Sequence, residues 1–361
     1  MSKNLQLVSD IVNKPPPGIA NIEKAEIRIK GKTLHVPSIR MNGRTVIATG
    51  KWLKMAALQD EDFLEGQLLD DPAAFISGIK QGSLRADIFA FRQKLPDVKP
   101  KYDFYFEWDN IAAIPIVSFD DWWMKRVSHD LRKDIKRAKK RGVVARLVEF
   151  NDDFVRGVTE IYSETPVRQG RPFWHYQKDF ETVKRETGTY RESSDFIGAY
   201  VENELIGFIK IVYVDKLGCL MQIISKIAHQ DKRPTNALLA KAVEVCAEKN
   251  LSYLTYGKFR YGKSENSLTA FKRRNGFEEI LVPKYYIPLT LKGRIALALR
   301  LHHGFVAMLP AGLVVFLIRW RNKIFNWVRD LKKSRGGLGN ESEFSEPQAT
   351  QKKAADSEDA V

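Results

Sequence analysis

Residues 217–225, Leu217-Gly218-Cys219-Leu220-Met221-Gln222-Ile223-Ile224-Ser225, are the stretch around which the rest of the chain is organised. From Gly218 the run reads as a strand, and it breaks at the polar turn Ala228-His229-Gln230-Asp231-Lys232-Arg233-Pro234. Pro234 suits a first helical position, and Ala237, Leu238, Ala240, Ala242, Val243, Val245 and Cys246 give the helix an apolar stripe until Asn250 stops it. A second strand, Leu251 to Tyr256, leads through Gly257 into a last helix that runs toward Gly276. A helix start aimed off the end of an apolar strand offers unpaired N–H groups and the positive end of the helix dipole. It is a natural seat for a pyrophosphate.

Leu268, Phe271-Lys272-Arg273-Arg274 and Gly276, after a strand ending in Tyr256-Gly257, resemble the closing segment of the GNAT superfamily of N-acyltransferases. They are most similar to its Fem-type branch, which includes the peptidoglycan-bridge aminoacyl transferases and their acyl-CoA-using relatives. Upstream, Ser128-His129-Asp130-Leu131-Arg132-Lys133-Asp134-Ile135-Lys136-Arg137-Ala138-Lys139-Lys140-Arg141-Gly142-Val143 is similar to the basic helix and Gly-Val exit that precede the same domain in that branch. The resemblance spans roughly residues 120–290, about half the chain, and bears on fold before substrate.

It implies an α/β (α+β) fold, GNAT-like, with a mixed, mostly antiparallel sheet flanked by helices. It implies an N-acyltransferase that takes an acyl group from acetyl-CoA or another acyl-CoA, without a metal, to an amine on a small molecule or an envelope precursor. Arg233, Thr235, Asn236 and Ala237 stand where the superfamily holds the donor pyrophosphate, and Ile223 and Ser225 lie on the strand that offers an N–H to the oxyanion. Two departures are visible. Acetyl-CoA users carry Q/R-x-x-G-x-G/A at the pyrophosphate turn, where Arg233-Pro234-Thr235-Asn236-Ala237 has no glycine; and Phe271 stands nearest the place of the tyrosine that protonates the leaving thiolate. Tyr261, past the second strand, is the alternative acid.

The chain is 361 residues long and 44% hydrophobic, enough to bury a core of one large or two small domains. Two cysteines exclude a disulfide framework and favour a reducing, cytoplasmic setting, and the first residues lack a secretory signal. The net charge of +15 is uneven: residues 125–146 carry ten basic and two acidic side chains, residues 291–335 ten and one, and residues 340–361 two and six. An anionic partner is expected at one of the two basic segments. The first has no interleaved aromatic platform for bases, so it reads as a groove for CoA, a nucleotide-linked substrate or tRNA, or simply as a solvated helix face; DNA is not an expected partner.

Residues 19–48 alternate in short runs and predict a hairpin or meander, with Pro15-Pro16-Pro17 as a stiff lead-in. Helices are expected at Lys51–Gly66 and Pro72–Gly82, and strands at Ala86–Phe91 and Tyr102–Trp108. Phe104-Tyr105-Phe106-Glu107-Trp108-Asp109 sets Glu107 and Asp109 among aromatics, where a carboxyl pKa rises toward that of a general base; alternatively the pair marks the solvated face of a strand. Ser118 with Asp121 resembles a capping box opening a helix through Trp123, Val127, Leu131, Ile135 and Ala138. Beyond a strand at Val143–Phe150, the connection Thr165 to Tyr176 between two helices is rich in rings and arginines. It predicts an acceptor pocket, with Arg168, Arg171 and Trp174 binding substrate and His175 as a proton acceptor. Phe196–Val214 is expected as an antiparallel hairpin.

The organisation expected is an α+β part over 1–117, resembling an incomplete GNAT-like lobe; a GNAT-like domain over 118–289; basic amphipathic helices over 290–335; and a disordered tail over 336–361. Thr290 caps the first of those helices, and Trp320 and Trp327 on the second suit an anionic inner membrane surface or packing on the domain. Besides acyl-CoA transfer, two readings stay open: an aminoacyl-tRNA-dependent transferase acting on a cell-envelope precursor, and a non-catalytic membrane-surface adaptor of the same fold.

Overall fold

Alternating apolar residues along the first half make strands that need a common partner sheet, and the chain supplies one. In the computed structural model, residues 22–29, 32–61, 64, 71–168, 170–261 and 267–303 are described, with backbone alone at 32 and 171. In order they form β1 (Glu23–Ile29), β2 (Lys32–Met41), β3 (Arg44–Thr49), β4 (Met55–Leu58), α1 (Pro72–Gln81), β5 (Ile88–Arg92), β6 (Phe106–Pro115), α2 (His129–Lys140), β7 (Val143–Val148), α3 (Asp152–Ser163), the short β8 (Val167–Arg168) and β9 (Arg171–Pro172), α4 (Phe180–Thr187), β10 (Ser194–Val201), β11 (Glu204–Val214), β12 (Leu217–Ser225), α5 (Pro234–Glu248), β13 (Tyr253–Thr255), α6 (Ser267–Arg274), β14 (Glu278–Pro288) and α7 (Leu291–Ala298).

Twelve strands join one sheet in the order β1-β2-β3-β4-β5-β14-β6-β13-β12-β11-β10-β7. Every neighbouring pair is antiparallel except β4 with β5 and β12 with β13. β6 lies between β13 and β14, and β14 also pairs with β5, so strands from the two ends of the chain are interleaved. Helices cover both faces of the second half. Phe196 and Phe208 pack beneath α3 with Phe154, Val158 and Tyr162, whereas Ile197, Ile209 and Ile211 meet Leu238, Leu239 and Val243 of α5. Each fully buried aliphatic of this kind contributes ~1.5–3 kcal/mol. The mixed, mostly antiparallel sheet flanked by helices is as expected, with β12 and β13 forming a parallel pair and α5 crossing between them.

Several local expectations change. Residues 55–58 are a strand, not a helix: Ala56 and Leu58 are buried and Met55 and Ala57 less so, a period-two pattern that pairs with β3 and overrides helix propensity. β6 starts at Phe106 and runs on to Pro115. The helix expected from Ser118 through Ala138 is interrupted. Ser118 caps one turn that continues as a π turn, Trp122–Arg126; Val127 is extended, and Ser128 caps α2 by accepting from Leu131 N–H at 3.2 Å. That break puts Trp122, rather than Trp123, wholly inside, with its Nε1 near the carbonyl of Asn275 at 3.4 Å. Gly276, at φ +82°, lies beneath the same indole, and a Cβ there would meet Nε1 at 3.0 Å. The expected amphipathic helix beyond Pro310, the tail, and the lead-in before residue 22 lie outside the described residues.

Candidate active site

β12 and β13 pair for only three residues, ending at Cys219 opposite Thr255. Beyond that point β12 leaves its partner, and a register shift against β11 between Gln222 and Leu220 bulges it at Met221. From Leu220 to Ser225 one edge of β12 has no strand beside it among the described residues. Two clefts border this free segment.

The first, about 750 Å³, fills the fork. Ile223, Ile224 and Ser225 form one wall, Arg233 to Asn236 the floor, and Tyr256, Phe271, Arg274 and Asn275 the opposite wall; Asp130, Leu131 and Asp134 of α2 close it. Arg233 occupies the left-handed region (φ 58°, ψ 41°), a conformation that glycine adopts more readily, as it turns the chain into α5. Pro234 has no N–H, and the amides of Asn236 and Ala237 turn back to Arg233 O at 3.1 and 3.4 Å. Thr235 is therefore the amide that faces the cleft, while its hydroxyl lies 3.0 Å from that of Ser225. The Arg233 guanidinium is tied to Asp134 at 3.3 Å. Arg274 lines the cleft, exposed and without an acidic partner among the described residues. A phosphate thus finds one cation, one amide and two hydroxyls: a fit for a pyrophosphate, with fewer amides than a glycine-rich turn presents.

The walls are held by buried donors. Lys272 is wholly inside and donates to the carbonyls of Tyr256 (2.7 Å) and Lys258 (2.6 Å), with its ammonium 4.4 Å from the Tyr256 ring centre. Arg168 donates to Ser225 O (2.9 Å) and Glu164 (3.0 Å), and Glu164 in turn accepts from the amides of Ile227 and Ala228. Burial pushes the Tyr256 phenol up to about 12, so it keeps its proton. Asn275 bonds Phe271 O through its amide nitrogen, and its buried Oδ1 has no hydrogen-bond partner among the described residues.

The second cleft, about 830 Å³, takes in Met221 and Gln222 of the same free segment, with Trp174, His175, Glu186, Tyr190 and Lys210, and is closed by β1 residues. His175 stacks on Tyr162 at 4.5 Å, and burial, assisted by Lys178, pushes its imidazole down to about 4 despite Glu186 at 4.0 Å. Its Nδ1 and the Oε1 of Gln222 are buried without hydrogen-bond partners among the described residues. Burial lowers Lys210 to about 8, although its ammonium is caged by the Thr187 carbonyl and the Thr189 hydroxyl and carbonyl.

The fork therefore gathers Ile223, Ser225, Arg233, Thr235, Asn236 and Arg168, with Ala237 one step inside α5, and the second cleft gathers Trp174 and His175. Glu107, Asp109 and Tyr261 line neither. Asp109 differs from both readings made of it. It is only 8% exposed, and although burial raises its pKa, Arg92 (3.4 Å) and Lys258 (3.0 Å) more than offset that and hold it below the usual carboxylate range. Glu107 accepts from Tyr105 and lies 3.1 Å from His302 Nε2. Tyr261 is exposed, and the Arg171 side chain lies outside the described residues. Sequence reasoning passed over Gln222, Tyr256, Arg274 and Asn275 as site residues. Tyr256 carried a signal, as a tyrosine at the end of the strand that forms the fork.

No family model and no curated protein matches the chain. Solved structures that resemble it include FemX (10% identity, 78% of this chain and 90% of that one, TM-score 0.47). The C-terminal domain (DUF2156) of a putative lysylphosphatidylglycerol synthetase from Agrobacterium fabrum is 12% identical over 73% of this chain and 87% of its own, TM-score 0.46. L-PGS from Bacillus licheniformis is 13% identical over 72% and 85%, TM-score 0.45. The chemistry of the clefts rests on their own residues.

Proposed function

We propose that the chain is an N-acyltransferase in which an acyl donor lies in the fork and an amine acceptor reaches it through the second cleft. One observation carries the reading: the free, bulged segment of β12 gives Met221 and Gln222 to one cleft and Ile223, Ile224 and Ser225 to the other. A donor carbonyl and an amine entering from the two sides meet at one short piece of backbone. The donor is an acyl-CoA, with Arg274, Thr235 and the Ser225 hydroxyl toward its pyrophosphate.

The amine nitrogen attacks the thioester carbonyl, forming the C–N bond, and an N–H of the β12 segment takes up the oxyanion. The acceptor attacks as the neutral amine, its ammonium having first lost a proton to solvent, and the N–H proton lost as the C–N bond forms has to go to a neighbour. His175, neutral above pH about 4 and lining the second cleft, is the residue placed to accept it and pass it to solvent. As the C–S bond breaks, Tyr256 donates its phenolic proton to the thiolate. Tyr261, exposed and outside the cleft lining, is the less suited acid.

Thermal shift with CoA and acetyl-CoA, repeated in Arg274→Ala and Asn236→Ala, is the test. A shift in the parent that shrinks in both variants supports the reading. Millimolar ligand with no shift rejects an acyl-CoA donor.

A second reading is favoured by a separate observation. Lys133, Lys136, Lys139 and Lys140 of α2 are exposed without acidic partners among the described residues, on the helix that closes the fork, and the floor offers few amides to a pyrophosphate. A donor esterified to tRNA is supported by both features. It predicts RNA binding that weakens steeply with salt. The acceptor class is an amine on a small molecule or an envelope precursor. A catalytically silent adaptor is the reading left if neither donor binds.

A further inference from the structure

α7 is packed inside out. Gly293 and Ala296 are its buried residues, whereas Leu291, Ile295 and Leu299, spaced by four, are 73%, 52% and 55% exposed along one stripe. Its position is fixed. A Cβ on Gly293 would meet Asp87 O at 2.0 Å; Thr290 Oγ1 accepts from Gly293 N–H and donates to Asp87, each at 3.0 Å, and Lys292 reaches the same carboxylate at 3.0 Å. Fold packing thus uses the small side and leaves the costly aliphatic side to water. Trp52, 52% exposed, lies beside the helix start, where Lys292 bonds its carbonyl and sits 5.2 Å from its ring.

At the same helix start opens a groove of about 430 Å³ lined by Lys54, Lys80, Arg85, Lys292 and Asp87. Asp87 is already engaged by Lys54 N–H, Thr290 and Lys292, which hold its carboxyl below the usual range against burial. The side chains of Lys54, Lys80 and Arg85 are left as cations without acidic partners among the described residues. An aliphatic ridge with an interfacial tryptophan, beside a cationic recess of headgroup size, matches the two layers of a bilayer surface: acyl chains below, phosphates above.

We propose that this face docks the protein on an anionic phospholipid bilayer, with Leu291, Ile295 and Leu299 entering the acyl boundary and the Lys54–Lys80–Arg85 groove holding a lipid phosphate. The charge of the groove chooses the occupant, since a purely apolar partner leaves three cations unmatched. The inference stands apart from the reading of the fork, because none of these residues lines either cleft beside β12.

The test is co-sedimentation of the full chain with vesicles of phosphatidylcholine alone and with roughly 30 mol% phosphatidylglycerol added. Binding is expected to the anionic vesicles only. Leu291→Ser/Ile295→Ser/Leu299→Ser is expected to weaken it roughly tenfold and Lys54→Glu/Lys80→Glu/Arg85→Glu about a hundredfold, with melting temperatures unchanged because these side chains are exposed. A fluorophore on Ile295→Cys, where both native cysteines are buried, should shift to the blue on the anionic vesicles. Parental binding by either triple variant overturns the proposal and assigns the membrane contact to residues beyond 303. A lipid-independent dimer that the serine variant dissolves overturns it in favour of a second copy.

Discussion

The two clefts beside β12 differ in which of their polar groups the protein itself satisfies. In the fork the cations are answered by the protein, Lys272 by two carbonyls, Arg168 by Ser225 and Glu164 and Arg233 by Asp134, while Asn275 Oδ1 and Arg168 Nε are buried without a hydrogen-bond partner among the described residues. In the second cleft Gln222 Oε1 and His175 Nδ1 are buried and unanswered, at a cost of ~1–3 kcal/mol for each such group. The difference teaches where each cleft is fixed and where it is open: the fork's cations are held in place from within, whereas in the second cleft the unanswered groups are the ring nitrogen and amide oxygen that line it, which a ligand with matching polar groups would satisfy.

Trp122→Ala should break the fork and spare the second cleft. The indole is wholly buried against Gly276 and Asn275, and its removal costs about 3–5 kcal/mol in denaturant unfolding. His175→Gln sharpens the other side. The unfolded imidazole takes up a proton below pH 6.5, whereas the folded one resists until about pH 4. Stability conferred by the neutral ring is therefore complete above pH 6.5 and lost as pH falls to 4. The parent should lose on the order of 3 kcal/mol across that window, and the variant should lack that part of the slope. Unfolding curves from pH 7 to pH 4 decide it.

Lys272→Met tests whether the cradle is held from within. Two carbonyls lose their donor, stability falls by about 2 kcal/mol, and amide exchange should rise at Tyr256 to Lys258 while Gln222 keeps its protection. Arg274→Ala has the smallest effect. Its side chain is exposed, so donor affinity should weaken by about fivefold, near 1 kcal/mol, with no change in melting. Equal donor affinity in parent and variant would remove Arg274 from the site.

The fork was legible because strand, turn, helix and strand follow one another within 40 residues of sequence, each with its own period and punctuation. Pro234 opens α5, Thr290 caps α7 and Ser118 caps the first turn after β6, as their side chains require. The second cleft was half legible: the ring-rich loop marked Trp174 and His175, but nothing local brings β1 against them or points Gln222 at Tyr162. Asp109 shows the same limit. Its aromatic sequence neighbours promised a raised pKa, and residues 17 positions before and 149 after it in the chain, Arg92 and Lys258, reversed the sign. Residues 55–58 became a strand because β3 and β5 offered partners, a fact absent from the four residues themselves.

The interleaving of β6 and β14 has a consequence for how the chain is made. β5 and β6 are synthesised well over a hundred residues before β14 (Glu278–Pro288), the strand that lies between them. Until Glu278–Pro288 arrives, facing edges of β5 and β6 wait unpaired, and β6 also waits for β13. Such late, long-range closure slows folding and leaves strand edges open to wrong partners, so a chain cut short before residue 278 should fail in both halves at once.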